Sequence, residues 1–176
     1  MFDVDALVDD LQVAIAEAQP RLAVRDVLDR ALASAGAMAE ALDPTEGGIS
    51  FLHHAPDLTV LNVVWAPGMV LYPHDHRMWA AIGIYTGQED NTFFRRDGQG
   101  LVESGGKRLE VADVAVLGDD TIHQVANPRR TLTGAIHVYG GDFVNQPRSQ
   151  WGPGERVERP YDFAEARQQF AEANAA

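Results

Sequence analysis

The sequence predicts a mainly β domain, a sandwich or barrel, preceded by a helical N-terminal arm. Between residues 49 and 139, short runs rich in β-branched and aromatic residues alternate with turn signals such as Asp97-Gly98 and Gly140-Gly141. Before residue 47, apolar residues instead recur at helical spacing. The predicted strands are Ile49–His54, Leu58–Trp65, Trp79–Thr86, Asn91–Arg96, Lys107–Val111, Val114–Leu117 and Thr131–Tyr139.

Three segments of different composition divide the chain. Residues 1–46 form the arm, with two amphipathic helices that are separated near Pro20 and end at Asp43-Pro44. Residues 47–160 contain the barrel and, at their end, a stretch rich in Pro, Gly and Arg that we expect to wrap over it. Residues 161–176 are expected to form a short C-terminal helix or tail. The apolar faces of the two helices should pack on the outside of the barrel.

Composition excludes several classes of function. The 176-residue chain has 14 basic and 26 acidic side chains, which gives a net charge of -12. Such a surface repels phosphate groups, so we expect neither nucleic acid nor a membrane as a partner. The acidic N-terminus is unlike a secretory or transit peptide, and we expect a cytoplasmic protein. The chain has no cysteine, which excludes thiolate metal ligands and a cysteine nucleophile.

Three of the six histidines are the main chemical signal. His74 and His76 are two positions apart, and residues at this spacing face the same side of a strand. Two neighbouring imidazoles suit two adjacent positions on one metal ion. The alternative is an exposed pair at a strand end, and the spacing alone does not decide between them.

The surrounding residues resemble the two sequence motifs of the cupin superfamily. A glycine six positions before His74 and another eleven positions after His76 match the first motif, G-x5-H-x-H-x3,4-E-x6-G. His123 and Asn127 match the H-x3-N end of the second motif. The resemblance implies a double-stranded β-helix, the jelly-roll barrel of the cupins, with the three histidines as metal ligands inside it.

The sequence departs from the cupin pattern at two points. Ala80 stands near the position of the motif glutamate, so no carboxylate ligand is available there, and Gly118-Asp119-Asp120 replaces the second-motif P-x-G. The expected ligand set is three neutral imidazoles, which leave about three coordination positions free. Such a site favours a bidentate anionic ligand together with dioxygen. It also accepts several divalent ions, zinc, nickel and manganese among them.

A narrower resemblance involves the segment Pro73–Tyr85, PHDHRMWAAIGIY. It is similar to the thiol dioxygenases, the cysteine dioxygenase and 3-mercaptopropionate dioxygenase branch of the cupins. It also looks like bacterial proteins described as predicted metal-dependent enzymes of the double-stranded β-helix superfamily, a membership that does not fix a substrate. The resemblance implies an oxidoreductase in which three histidines hold iron(II) and dioxygen oxidises a small thiol carboxylate, 3-mercaptopropionate- or cysteine-like, to a sulfinate.

Two further residues resemble the outer part of a thiol dioxygenase site. His137 and Tyr139 match the family's S-x-H-x-Y motif, in which the tyrosine hydroxyl points at the iron-bound ligands. The resemblance implies that both are catalytic, and the alternative is ordinary strand packing. Ala135 stands where the family has serine, so we expect His137 to lack one hydrogen-bond partner.

Arg148 is the candidate substrate-binding residue. Its segment Pro147–Trp151 resembles the C-terminal region of the bacterial 3-mercaptopropionate branch, whose arginine is implicated in carboxylate binding. A planar guanidinium suits bidentate capture of a carboxylate. The alternative is that Arg148 pairs with a surface acid. The arginine that animal-type cysteine dioxygenases place before the first ligand has no counterpart, because no arginine lies between Arg30 and Arg77.

Two other functions fit the same residues. A three-histidine iron site also suits cleavage of a carbon–carbon bond in a diketone-like substrate by dioxygen. A metal-bound cupin that binds a small acid without turnover is the second alternative, and the missing serine is its main support. A homodimer is also expected to be feasible, with the acidic arm at its interface.

Overall fold

The computed structural model of the protein describes residues 2–98, 100–152 and 157–176. None of the helices in these ranges is long and apolar enough to cross a membrane. The described elements, in chain order, are α1 (Val4–Ala14), α2 (Pro20–Leu32), α3 (Ala35–Leu42), β1 (Gly48–His54), β2 (Thr59–Trp65), β3 (Val70–Asp75), β4 (Ala80–Thr86), β5 (Gln88–Asp97), β6 (Gly100–Glu110), β7 (Val114–Leu117), β8 (Ile122–Ala126), β9 (Thr133–Tyr139), β10 (Ser149–Trp151), β11 (Glu158–Pro160) and α4 (Phe163–Ala175).

The strands form two antiparallel sheets with jelly-roll connectivity. The first sheet has the order β1-β2-β9-β4-β7, and the second has the order β11-β10-β3-β8-β5-β6. Without the outer strands β1, β10 and β11, the two sheets are 2-9-4-7 and 3-8-5-6, which is the strand order of an eight-stranded jelly roll. The predicted mainly β, double-stranded β-helix fold is therefore confirmed.

Strand β9, in the middle of the first sheet, contributes to two separate cores. Ile136 and Val138 pack with the N-terminal helices, whereas Ala135 and Tyr139 belong to the core between the sheets. Side chains alternate along a strand, so His137 faces the same interior as these last two residues. The barrel interior therefore receives an imidazole and a phenol from its central strand.

Three helices cover the outer face of the first sheet, and the prediction of two was wrong. The segment predicted as one helix after Pro20 is broken near Ser34. The N–H of Ser34 donates to the carbonyl of Ala31, three residues earlier, which closes a tight turn. The carbonyl of Ser34 accepts from the N–H of Met38 and so begins the hydrogen bonding of α3. This turn lets both α2 and α3 pack against β4.

The C-terminal segment is more regular than the sequence predicted. β10 joins the second sheet with Gln150 opposite His74, and β11 pairs with β10. The predicted wrap therefore includes two short strands, and residues 153–156 of it lie outside the described residues. The segment expected to form a short C-terminal helix or tail is a helix of 13 residues. Near its end, the Asn174 amide exchanges two hydrogen bonds with the backbone of Gly47, at 2.8 and 2.9 Å.

Candidate metal centre

The three histidines predicted as metal ligands meet inside the barrel, on the second sheet. His74 in β3 lies directly opposite His123 in β8, although neither strand was among the predicted runs. His76 follows the last residue of β3, and its ring centroid lies 4.8 Å from that of His74. All three side chains are buried, and one potential ligand atom of each lies within 4.8 Å of the others. This group can hold a metal ion.

The ring nitrogens have the spacing of neighbouring ligands. The Nε2 atoms of His76 and His123 are 3.0 Å apart. Two metal–nitrogen bonds of roughly 2.1 Å at a right angle would place their nitrogens about 3.0 Å apart. Nδ1 of His74 donates to the carbonyl of Tyr72 at 3.0 Å, which leaves its Nε2 free for a metal. Nδ1 of His123 likewise donates to the Asn91 side-chain oxygen at 2.7 Å.

The protein environment keeps the three imidazoles neutral. Burial lowers the pKa of His74 to about 4, and the positive charge of Arg148 acts in the same direction. Burial, reinforced by the neighbouring imidazoles, holds the pKa of His76 and His123 well below the usual value. Neutral imidazoles keep the lone pairs that metal ligation needs. No carboxylate joins the group in the described part of the chain, in agreement with Ala80 at the motif position.

A small cavity lies beside the histidines. Its volume is about 20 Å³, room for one ion or one water molecule. Most of the other side chains around it are apolar or aromatic, so a bound ion would have few competing polar groups. They are Ile49, Leu61, Val63, Trp65, Leu71, Val125, His137, Tyr139, Phe143 and Tyr161.

The structure places both predicted outer residues at this cavity. Nδ1 of His137 lies 3.1 Å from the hydroxyl oxygen of Tyr139, whose ring centroid is 4.7 Å from that of His76. Burial raises the pKa of Tyr139, so the phenol stays protonated. The expectation that His137 lacks a partner because of Ala135 was wrong. Its Nε2 atom lies 3.2 Å from a carboxylate oxygen of Glu89, which approaches from the other sheet.

Arg148 is buried next to the cavity. Its guanidinium carbon lies 4.0 Å from the ring centroid of Phe143 and 3.9 Å from that of Tyr161, so the two rings enclose the cation. Nη1 donates to the Phe143 carbonyl at 2.7 Å, whereas Nε has no hydrogen-bond partner in the described ranges. Arg148 and Tyr161 also line a groove on the outer surface, and Tyr161 borders the cavity as well.

Asp75, the middle residue of the histidine motif, has a structural role that the sequence analysis missed. Its carboxylate is 1% exposed. It accepts from Arg77 at 2.8 Å, from Arg96 at 3.0 Å and from the backbone N–H of Ser149 at 2.7 Å. The motif itself could have indicated this role. Side chains alternate along a strand, so Asp75 points away from the two histidines.

Glu89 and Asn91 also reach the site, and the sequence analysis did not select them. Glu89 is fully buried and Asn91 is 4% exposed. The predicted strand began at Asn91, and extending its alternation back by two residues would have placed Glu89 on the same inward face. A carboxylate at an inward position is the signal that could have identified this residue.

No protein-family model matches the chain. Several solved structures to which the chain is similar are described as cupin or double-stranded β-helix proteins. A conserved protein with a double-stranded β-helix domain from Klebsiella pneumoniae is 16% identical, with a TM-score of 0.48, over 61% of this chain and 82% of that one. An RmlC-like cupin from Methanocaldococcus jannaschii is 11% identical, with a TM-score of 0.48, over 57% and 85%. A cupin superfamily protein from Desulfitobacterium hafniense is 15% identical, with a TM-score of 0.47, over 60% and 88%. Because these TM-scores are below 0.5, the fold assignment rests on the strand order.

Proposed function

We propose that the protein is a non-haem iron(II) dioxygenase that oxidises a small thiol carboxylate, 3-mercaptopropionate- or cysteine-like, to a sulfinate. The observation that carries the proposal is the combination of three buried neutral imidazoles, no carboxylate among the described ligands, and a buried arginine beside them. The reaction is balanced without a further reductant, because both atoms of dioxygen are added to the sulfur of the thiolate.

His74, His76 and His123 would hold the metal ion. Iron(II) is the proposed ion because of the resemblance to thiol dioxygenases, and three imidazoles also fit zinc, nickel or manganese. A bound iron(II) ion would supply the redox chemistry that adds dioxygen to sulfur. Three neutral ligands leave its double positive charge uncompensated, which favours an anionic ligand such as a thiolate.

Arg148 would bind the substrate carboxylate. Its Nε–H is a buried donor with no partner in the described ranges, and such a donor is costly unless a ligand accepts from it. The cavity beside the histidines is too small for a thiol carboxylate, so Tyr161 or Phe143 would have to move when the substrate enters. The groove lined by Arg148 and Tyr161 offers the approach from solvent.

Tyr139 and His137 would act on the substrate side of the metal. Tyr139 borders the cavity and its hydroxyl is hydrogen-bonded to His137, so its oxygen is held in one position next to the ligand site. The apolar walls would exclude water from the thiolate and strengthen electrostatic interactions inside the cavity.

The two alternative functions have less support. A pocket without an arginine would favour carbon–carbon cleavage of a diketone, but Arg148 lies close enough to contribute to the low pKa of His74. A binding protein without turnover was favoured by the missing serine, and Glu89 provides the partner that His137 was expected to lack.

Oxygen uptake by the iron(II)-reconstituted protein tests the proposal. The substrates are 3-mercaptopropionate, cysteine, cysteamine and acetylacetone, and His74→Ala is the control without a complete ligand set. We expect uptake with a thiol carboxylate, one equivalent of sulfinate per dioxygen, and no activity in the control. Uptake with acetylacetone alone would replace the proposal by carbon–carbon cleavage. No uptake at full iron occupancy would reject an oxygenase function.

A further inference from the structure

Glu89 is a buried carboxylate on which three side-chain donors converge. Oε2 accepts from the indole N–H of Trp65 at 2.8 Å and lies 3.2 Å from Nε2 of His137. Oε1 accepts from the side-chain amide of Asn91 at 2.9 Å. Burial alone would raise the pKa of Glu89, but His137 and the hydrogen bonds from all three partners bring it below the usual value. An ionised carboxylate has no hydrogen and can accept from all three.

One branch of this network leads to a metal ligand. The amide of Asn91 donates to Glu89, so its oxygen is directed at His123, 2.7 Å from Nδ1. An amide oxygen can only accept, and therefore Nδ1 of His123 carries the hydrogen. In a neutral imidazole the lone pair is then on Nε2, the nitrogen that faces His76.

The other branch leads to the tyrosine. A carboxylate can only accept, so Nε2 of a neutral His137 carries the hydrogen that Glu89 receives. The lone pair is then on Nδ1, which lies 3.1 Å from the hydroxyl oxygen of Tyr139. The hydroxyl hydrogen of Tyr139 must therefore point at His137, and its oxygen presents a lone pair to the cavity.

We propose that Glu89 is a positioning residue that fixes the hydrogen positions of His123 and His137 from one point, and so makes Tyr139 a hydrogen-bond acceptor towards the cavity. The ligand group beside Tyr139 would then carry a hydrogen, as a water molecule, a hydroxyl or an ammonium does. This inference deepens the proposed function and rests on it only for the part that Tyr139 plays in the reaction. The hydrogen positions themselves can be measured without turnover.

Histidine ring ¹⁵N spectra of the zinc-loaded protein at pH 7.5 test the proposal, because each spectrum identifies the nitrogen that carries hydrogen. In the natural chain we expect hydrogen on Nδ1 of His123 and on Nε2 of His137. Hydrogen on Nδ1 of His137, alone or together with Nε2, would overturn the proposal. Assignments come from the His123→Gln and His137→Gln spectra.

Glu89→Gln tests the role of the carboxylate. A glutamine has one acceptor and one donor group in place of two acceptors, so it cannot satisfy Trp65, Asn91 and His137 together. We expect His137 to change the nitrogen that carries hydrogen, whereas Nδ1 of His123 keeps its hydrogen because Nε2 binds zinc. Zinc affinity should fall by roughly 10–100-fold, as for other outer partners of metal ligands. An unchanged hydrogen position on His137 in a folded Glu89→Gln protein would overturn the proposal.

Two control variants separate positioning from a general loss of stability. Trp65→Phe removes one donor and leaves Glu89 with the other two, so both hydrogen positions should stay as in the natural chain. Glu103→Gln makes the same chemical change at an exposed position of the neighbouring strand β6 and should leave the spectra and zinc affinity unchanged. A tautomer change in either control would contradict the assignment to Glu89. The expected spectra without oxygen uptake would reject the proposed function and retain this inference.

Discussion

The Asp75 carboxylate accepts a hydrogen bond from the backbone N–H of Ser149 at 2.7 Å. This bond connects the strand that carries the histidines to the residue that follows Arg148. The same carboxylate binds Arg77 and Arg96, and Glu158 pairs with Arg96 at 2.8 Å. The position of the candidate substrate arginine therefore depends on a buried acid of the metal motif.

Replacing Asp75 with asparagine should destabilise the protein and disturb Arg148. Asparagine can still accept from Ser149, but Arg77 and Arg96 lose the charge they pair with. Both arginines are about one-third exposed, so we expect a loss of about 2 kcal/mol in the free energy of unfolding, less than the roughly 3–5 kcal/mol of a fully buried pair. Urea unfolding measures it. Asp26→Asn breaks an exposed pair with Arg25 and should change the free energy of unfolding much less. Equal losses in the two variants would contradict the role of Asp75.

Low pH should weaken the attachment of β11, because it protonates Glu158. The hydrogen bond from Arg96, with contributions from Ser149 and Arg77, lowers the pKa of Glu158 to about 2 from a usual 4.5, against the opposing effect of burial. Between these values the unfolded chain binds a proton that the folded chain does not, so this stabilisation is complete above about pH 4.5 and is lost as the pH falls towards 2.

The pH dependence is measured as the difference in melting temperature between the natural chain and Glu158→Gln. We expect the difference to shrink steadily from pH 5 to pH 2.5. Glu103→Gln, at an exposed position, should give a small difference at every pH. A Glu158→Gln difference that is independent of pH would show that the charge of Glu158 does not contribute.

The meeting of the three histidines was predictable because its determinants are local in sequence. His74 and His76 are two positions apart, and two spaced motifs indicated both the jelly roll and the third histidine, His123. The Glu89–His137 contact was not predictable in this way, because it joins strands from opposite sheets across 48 positions. Its existence depends on how the two sheets face each other, which no local pattern encodes.

The helical arm shows a second limit of sequence patterns. Apolar spacing continues from Val24 to Leu42 with little interruption, and it predicted one helix over this segment. The break at Ser34 arises from tertiary packing, since α2 and α3 must both follow β4. The intrinsic helix propensity of these residues is too weak to resist such packing, because the propensity of a single residue rarely contributes more than about 1 kcal/mol to helix stability.

Arg148→Lys should weaken binding of substrates that carry a carboxylate. Lysine keeps the positive charge but loses the planar fork and its stacking between Phe143 and Tyr161. We expect KM for 3-mercaptopropionate to rise about 10-fold, equivalent to about 1.4 kcal/mol, with a smaller change in kcat. KM for cysteamine, which has no carboxylate, should change little.

Arg159→Lys is the matched control for this prediction. Arg159 lines the same groove but pairs with Glu165 at 2.6 Å, so its replacement should leave KM for both thiols unchanged. An equal rise in KM for cysteamine and 3-mercaptopropionate in Arg148→Lys would mean that Arg148 maintains the shape of the site and does not bind the carboxylate.

Ala135→Ser restores the serine of the thiol dioxygenase motif and should not raise activity. Ala135 is fully buried, and Nε2 of His137 already donates to Glu89 at 3.2 Å. The new hydroxyl would therefore lack a partner on His137 and destabilise the protein by about 1–2 kcal/mol. Glu89→Gln should lower oxygen uptake because His137 loses its carboxylate partner. In that background the serine oxygen can accept from His137, so the second substitution should recover part of the uptake. A serine that raises activity with Glu89 present would mean that Glu89 does not take its place. Recovery only in the Glu89→Gln background would mean that it does.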